Sequence, residues 1–256
     1  MASGIGQVFL SMLVMIPFFT VMGFIMLFLI RKRSRWQFVI AAGMIYCLAA
    51  LFLFVSAEKK RTGHSLAVFL EAELSAGVEA ASEKQMEAGL GPVDTEAFKN
   101  IVRNFIIKPI YAWMLVSAGF TVLIMYLFVS FYAVRRYGIE QSMPQFEKWR
   151  AGEPAAWLLI ASLAIVLFPK IFSAEALRTA AVNVLVVMAN LYFLTGLAVS
   201  MGLMIKFRVP PIFRYVFFAM IFFFANVAVL IVLTGVLDTW FNFRDKKTGG
   251  KDEGNT

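Results

Sequence analysis

The sequence predicts an all-α fold: a polytopic transmembrane helix bundle of about six spans, with an extramembrane amphipathic helical hairpin. Three observations predict it. Six long apolar runs, residues 8–30, 38–57, 110–134, 155–172, 182–205 and 215–237, contain one charged side chain between them, Lys170. An α-helix needs about 20 such residues to cross the hydrocarbon of a bilayer. Hydrophobic residues make up 61 % of the chain, well above the ~45–50 % of a soluble domain. The runs are continuous rather than alternating, so helices and not barrel strands satisfy the backbone in lipid.

The first run follows Met1 to Gln7, which carry no Lys or Arg. A cleaved secretory signal has a basic leading region, so this run is expected to be a permanent helix. Trp36 precedes the second run. Tyr111 and Trp113 open the third, and Tyr132 and Tyr137 close it. Such aromatics mark the membrane–water interface. The fourth run lies between Trp149 and Trp157 at its start and Pro169-Lys170 near its end, and is uninterrupted only over 155–168. A short full span is expected there, with Lys170 snorkelling to the interface; a re-entrant or interfacial helix is the alternative. The fifth and sixth runs are long enough to span, and Trp240 closes the last. The chain is read as a single integral membrane domain, 1–256.

The one sizeable extramembrane region, 58–108, is inserted between the second and third runs. Leu66, Phe69, Leu70, Leu74 and Val78 recur at helical spacing, with Glu71, Glu73, Glu79, Glu83 and Glu87 on the other side. Gly89-Leu90-Gly91-Pro92 breaks that helix. Asp94 or Thr95 can cap a second one, which carries Phe98, Ile101, Val102, Phe105 and Ile106 on one face. Two readings follow: a cap over the bundle, or a hairpin that buries its apolar stripe on the membrane surface. The acidic polar face disfavours docking to anionic lipid.

The net charge is +8. The basic residues cluster at span ends, as in Arg31-Lys32-Arg33-Ser34-Arg35, Arg135-Arg136 and Arg244 to Lys247. There they fix topology and meet headgroups. No basic stripe with interleaved aromatics lies outside the runs, so nucleic acid is not an expected partner. With the N-terminus outside, loops 31–37, 135–154 and 206–214 hold eleven Lys and Arg. The segment 170–178 and the tail hold six, the long 58–108 loop being set aside. This orientation leaves the basic tail outside; a fourth run that only dips into the bilayer would return it to the cytoplasm.

Chemistry is sparse. The mid-span regions hold no Asp, Glu, His, Lys or Arg, the residues that mark relays and ion paths. HExxH, GxSxG, Walker and paired-Asp patterns are absent. Cys47 is the only cysteine and His64 the only histidine, so neither an internal disulfide nor a metal site is expected. The expectation is therefore no enzyme, no catalytic residue, no metal and no cofactor. What remains are neutral polar groups. Asn183 and Asn190 share a face of the fifth run, and Thr195, Gly196 and Ser200 follow, Gly196 to Ser200 being a small-xxx-small spacing. Asn226, Thr234 and Asp238 lie along the sixth. Asn183, Asn190, Thr195, Asn226 and Asp238 are the candidate ligand-binding residues, forming a pocket between the last two helices; interhelical glue is the plainer reading. Gly196, Ser200, Trp149 and Arg244 are the candidate structural contacts. Asp238 is either paired with Arg244 or simply solvated at a helix end.

The order of motifs in the C-terminal half carries a resemblance. Arg135-Arg136-Tyr137-Gly138 is followed by Met143-Pro144-Gln145-Phe146-Glu147-Lys148-Trp149-Arg150, Pro154 and Trp157. Asn190-Leu191-Tyr192 and Gly196-Leu197-Ala198-Val199 come next. The ending is Thr234-Gly235-Val236-Leu237-Asp238-Thr239-Trp240-Phe241-Asn242-Phe243-Arg244. Together these resemble the YybS-like family of bacterial multi-pass membrane proteins, over about half the chain. That family is a domain of unknown function, distantly similar to the S-components of energy-coupling-factor transporters. The resemblance implies a bacterial inner-membrane protein and a transport-related role, with more N-terminal helices than the six runs supply. A small neutral or zwitterionic ligand suits a pocket of neutral amides. The alternative is a structural or assembly factor that binds a membrane-protein partner through helix contacts and the 58–108 hairpin. An intramembrane enzyme is a third class, without a visible base for Ser11, Ser117, Ser130, Ser162 or Ser200.

Overall fold

The structure is a computed structural model that describes residues 2–87, 95–139 and 143–244, with side chains from Met15 onward except at 83–87, 222, 223 and 225. The described residues are helical apart from short turns and connections. They divide into two compact units, Met1–Met143 and Pro144–Thr256.

The first unit is built on three long helices: α1 (Ala2–Arg31), α2 (Trp36–Thr62) and α5 (Ile110–Tyr137). Each ends where the sequence supplies a stop. Gly63 closes α2 with φ 74° and Gly138 closes α5 with φ 63°, a left-handed conformation that glycine adopts without a Cβ clash. Met22, Met26 and Ile30 of α1 stack one turn apart. They meet Val39 and Cys47 of α2 and the stripe Ala118, Val122, Tyr126, Val129 and Ala133 of α5. Gly43 lets α2 approach closely, since a Cβ there would stand 3.0 Å from Val122 Cγ1 and also meet Met26 Cε. A Cβ on Gly23 would stand 3.0 Å from Met125 Cε, and Arg31 stacks 5.1 Å from the Tyr137 ring centroid. The register thus advances together along α1 and α5, which run parallel. Tyr46 donates to the Phe18 carbonyl at 3.3 Å, so α2 runs antiparallel to α1.

Between α2 and α5 stand α3 (Leu66–Glu87) and α4 (Thr95–Val102), the latter continued by a π-helical turn, Arg103–Ile107. The expected break at 89–92 and the Asp94 cap lie outside the described residues. Val78 is buried, while Leu66, Leu70 and Leu74 are half-buried and Phe69 is exposed. Lys99 reaches Glu79 at 3.4 Å and Glu96 at 3.6 Å, and Arg103 pairs with Glu71. The hairpin packs on the end of α2 and, through the π turn, on the start of α5.

The second unit is centred on α7 (Glu175–Lys206), flanked by α6 (Glu153–Leu167) and α9 (Ala225–Phe241), with α8 (Pro211–Phe223) against α9. A 3-10 turn, Phe146–Lys148, also packs on α7. Ala156 and Leu159 of α6 bury Tyr192 of α7, whose hydroxyl donates to the Gly152 carbonyl at 3.3 Å.

The six apolar runs do not become six equal spans. Among the residues whose side chains are described, three helices, α2, α5 and α7, are long and apolar enough to cross a membrane, and a bent pair makes up to four. The fourth run gives only the 15 residues of α6, about 22 Å at 1.5 Å per residue against a hydrocarbon core of about 30 Å. Pro169 is the reason. A proline bars its predecessor from the α region, and Phe168 takes φ −111°, ψ 63°. The sixth run is not one helix. It breaks at Phe224 (φ −122°, ψ 97°), and the pieces on either side lie at 110° to each other. Asn226 follows the break at once.

Candidate functional site

The seam between α7 and α9 holds most of the residues singled out by the sequence. It closes on two glycines. A Cβ on Gly196 would sit 2.8 Å from the Ile231 carbonyl carbon, and one on Gly235 would sit 2.7 Å from Gly196 N. Backbone therefore meets backbone, the close approach that small residues permit in membrane helices. The small residue opposite Gly196 is Gly235 on the other helix, while Ser200 donates to the Gly196 carbonyl at 2.9 Å within α7. Gly235 was visible in the sequence as an isolated glycine inside an apolar run, a signal of close packing.

Farther along, a Cβ on Gly202 would sit 3.2 Å from Arg244 Cδ. Gly196 meets Gly235, and Arg244, three residues past α9, meets Gly202, so the end of α9 lies toward the end of α7 and the two helices run parallel. The chain must then reverse through α8, and the end of α9 returns to the end of the unit that holds the end of α7. The sixth run is thus a helix pair bent by 110° and not one straight helix.

The neutral polar residues of α7 and α9 bond first within their own helices. Asn183 Nδ2 donates to the Thr179 carbonyl at 2.8 Å and Asn190 Nδ2 to that of Val186 at 2.9 Å. Thr195 donates to Leu191 at 3.0 Å and Thr234 to Leu230 at 2.8 Å. Each of these bonds lies one turn back in its own helix. Thr195 is buried, Asn183 and Asn190 are half-buried, and Asn226 is exposed in the first turn of α9.

Asp238 and Arg244 converge. Arg244 Nη2 reaches Asp238 Oδ2 at 2.6 Å, with the side chains 8 % and 2 % exposed. The solvated reading of Asp238 is thereby overturned. A carboxylate at a helix C-terminus opposes the helix dipole, and here the guanidinium offsets it. The second oxygen, Oδ1, accepts from Phe243 N at 3.0 Å. Asn242 makes the turn with φ 48°, and its N–H returns to the Asp238 carbonyl at 3.1 Å. Arg244 Nη1 donates to the carbonyls of Glu147 at 2.5 Å and Trp149 at 2.9 Å, and Arg150 Nη2 to Asn242 Oδ1 at 2.5 Å. Trp149 donates to the Pro144 carbonyl at 3.0 Å and packs edge-on against Phe146. One arginine thus ties the end of α9 to the 144–150 segment beside α7. The carboxylate and guanidinium neutralise each other, so this cluster fixes a fold and offers neither a free base nor a nucleophile. Among the described residues, no group of His, Cys, Asp and Glu could hold a metal ion.

Cavities lie elsewhere. An apolar one of about 400 Å³ opens between α3 and α4 beside Leu74, Val78 and Phe98, and a polar one of about 220 Å³ is lined by Glu71, Glu96, Lys99 and Arg103. In the polar one, both cations already face carboxylates.

The profile of the family described as "Predicted membrane protein (DUF2232)" matches residues 1–239, and the chain belongs to that family. The match takes in the first runs as well as the C-terminal half that carried the resemblance. No curated protein and no solved structure matches the chain.

Proposed function

We propose that this membrane protein is a non-enzymatic, small-molecule-binding or transport-related component of a bacterial inner membrane. The observation that carries the reading is the broken helix pair α8–α9. Backbone that leaves a helix at membrane depth is tolerated where it is buried in protein or lines a cavity. Short, interrupted apolar segments are the best sequence pointer to a transporter's binding site. Asn226 stands at this break, exposed in the first turn of α9. The motif order that resembles the YybS-like family, and through it the S-components of vitamin transporters, supports the same role. The ligand is then a small neutral or zwitterionic molecule held near Asn226, the amide that stands exposed at the break. The test is thermal stability of the purified chain in detergent against a panel of vitamins and metabolites. A stabilising compound whose effect disappears in Asn226→Ala supports the reading; a folded protein that responds to no compound overturns it.

A structural or assembly role is the second reading, favoured by the closed Gly196–Gly235 seam and the protruding hairpin. Cross-linking in native membranes would then recover a membrane-protein partner that is lost on deletion of 65–90. Retention of the partner in that deletion defeats the hairpin's role.

The orientation we propose places the N-terminus outside. Support comes from each unit separately. The end of α1 meets the end of α5 through Arg31 and Tyr137, joining basic segments at one end of the first unit. The ends of α7 and α9 and the 147–150 segment gather at one end of the second. Cationic ends belong in the cytoplasm. Cysteine accessibility at 208, 250 and 64 in intact cells decides it: only 64 should react.

A further inference from the structure

We propose that the exposed face of α4 and its π turn is a membrane-surface anchor that lies in the headgroup–acyl boundary of a neutral leaflet. Phe98, Ile101, Phe105 and Ile106 are 49 %, 57 %, 69 % and 50 % exposed. Phe98 borders the apolar cavity between α3 and α4, while Ile101, Phe105 and Ile106 are the most outward of the four. The segment meets α3 through Lys99 and Arg103, which pair with Glu79 and Glu71 on the neighbouring side of the helix. Three large apolar side chains, Ile101, Phe105 and Ile106, are thereby left outward within two turns.

Lipid is the occupant because this face runs directly into a membrane span. Ile107 and Pro109 are buried, and α5 begins at Ile110. The Trp113 indole of α5 donates to the Phe105 carbonyl at 2.9 Å. The π turn, closed by Lys108 N to the Arg103 carbonyl at 2.9 Å, is thus fixed to the first turn of the span. Phe105 lies five residues before Ile110, within about 8 Å at helical rise, so it cannot stand far from the level at which α5 enters lipid. Tyr111 and Trp113, both exposed, mark that level as the interface. An amphipathic segment with its apolar side outward at such a level buries that side in the boundary region.

The charge pattern chooses the kind of lipid. The acids that face α4 from α3, Glu71 and Glu79, are paired with Arg103 and Lys99, and Glu96 also lies near Lys99. Two of the three cations of this segment, Lys99 and Arg103, are therefore already matched by neighbouring acids, which weakens selection of anionic headgroups. Insertion rests on apolar burial and takes zwitterionic lipid. This inference requires α5 to span and is independent of any small-molecule ligand.

The test uses the full chain in phosphatidylcholine nanodiscs. In a Cys47→Ser background, single cysteines replace Phe98, Phe105, Glu96 or Asn100 and carry an environment-sensitive fluorophore. A shallow spin-labelled phosphatidylcholine should quench the Phe98 and Phe105 positions several-fold more than Glu96 and Asn100, and iodide should show the reverse. If iodide quenches all four alike, the face is in water and the proposal fails. If neither quencher reaches Phe105, protein covers it and the proposal fails equally. A need for anionic lipid overturns the neutral-leaflet claim. Phe98 and Phe105 report independently, so one variant that fails to fold leaves the other to decide.

Discussion

The two units solve the same packing problem differently. In the first, α1, α2 and α5 interlock through side chains: two stacked methionines, a valine, a buried tyrosine and a cysteine. In the second, α7 and α9 touch backbone to backbone at Gly196 and Gly235, and a buried ion pair closes the end. The difference teaches where error is tolerated. A flexible thioether at Gly43 can yield to an added methyl; the Ile231 carbonyl opposite Gly196 cannot, because it belongs to a helix. The second unit is therefore the more brittle, and its brittleness is concentrated in a few residues.

The hardest test of that contrast is the ion pair. Asp238→Ala leaves Arg244 buried without its partner, and removal of one member of a buried pair costs about 3–5 kcal/mol. Reversible unfolding in mixed micelles should show that loss, and the double change Asp238→Leu with Arg244→Leu should restore much of it. Singles that cost under about 1 kcal/mol, the range of an exposed pair, would show that the cluster is solvated after all.

Next come the glycines. Gly196→Ala should cost about 1–3 kcal/mol, the usual penalty of overpacking. Gly43→Ala should cost less, because Met26 can move. Equal losses in the same micelle assay would erase the contrast between the units.

A smaller effect separates single bonds. Tyr46→Phe removes the hydroxyl that reaches the Phe18 carbonyl in the first unit. A net hydrogen bond contributes about 0.5–1.5 kcal/mol, and the long 3.3 Å distance puts this one at the low end. Smallest of all is Asn190→Leu. Its amide donates only to Val186 of its own helix, so the change should stay near the ~0.6 kcal/mol average of polar contacts in membrane helices. A loss above ~2 kcal/mol in thermal denaturation would reveal a tertiary role that the geometry does not contain.

Much of the fold was legible before any coordinates. The apolar runs became helices with nearly the expected limits in α2 and α5, where Gly63 and Gly138 stop them. Pro169 already warned that the fourth run was short. The hairpin stripe was also readable, although its outward face was not. The site was less legible. Asp238 and Arg244 are six apart, which helical spacing alone does not bring together; the left-handed turn at Asn242 does. The amide row of Asn183 and Asn190 suggested a pocket because periodicity reveals a shared face. It does not reveal that each side chain bonds back to its own helix.

By itself the sequence determined solvent and secondary structure: apolar runs of span length must lie in lipid, and in lipid an uninterrupted run must be a helix. Only the tertiary structure decided direction and closeness. That α9 runs parallel to α7 depends on the break at Phe224 and on two glycines meeting across a seam. Such contacts join residues distant in the chain, and local periodicity carries no record of them.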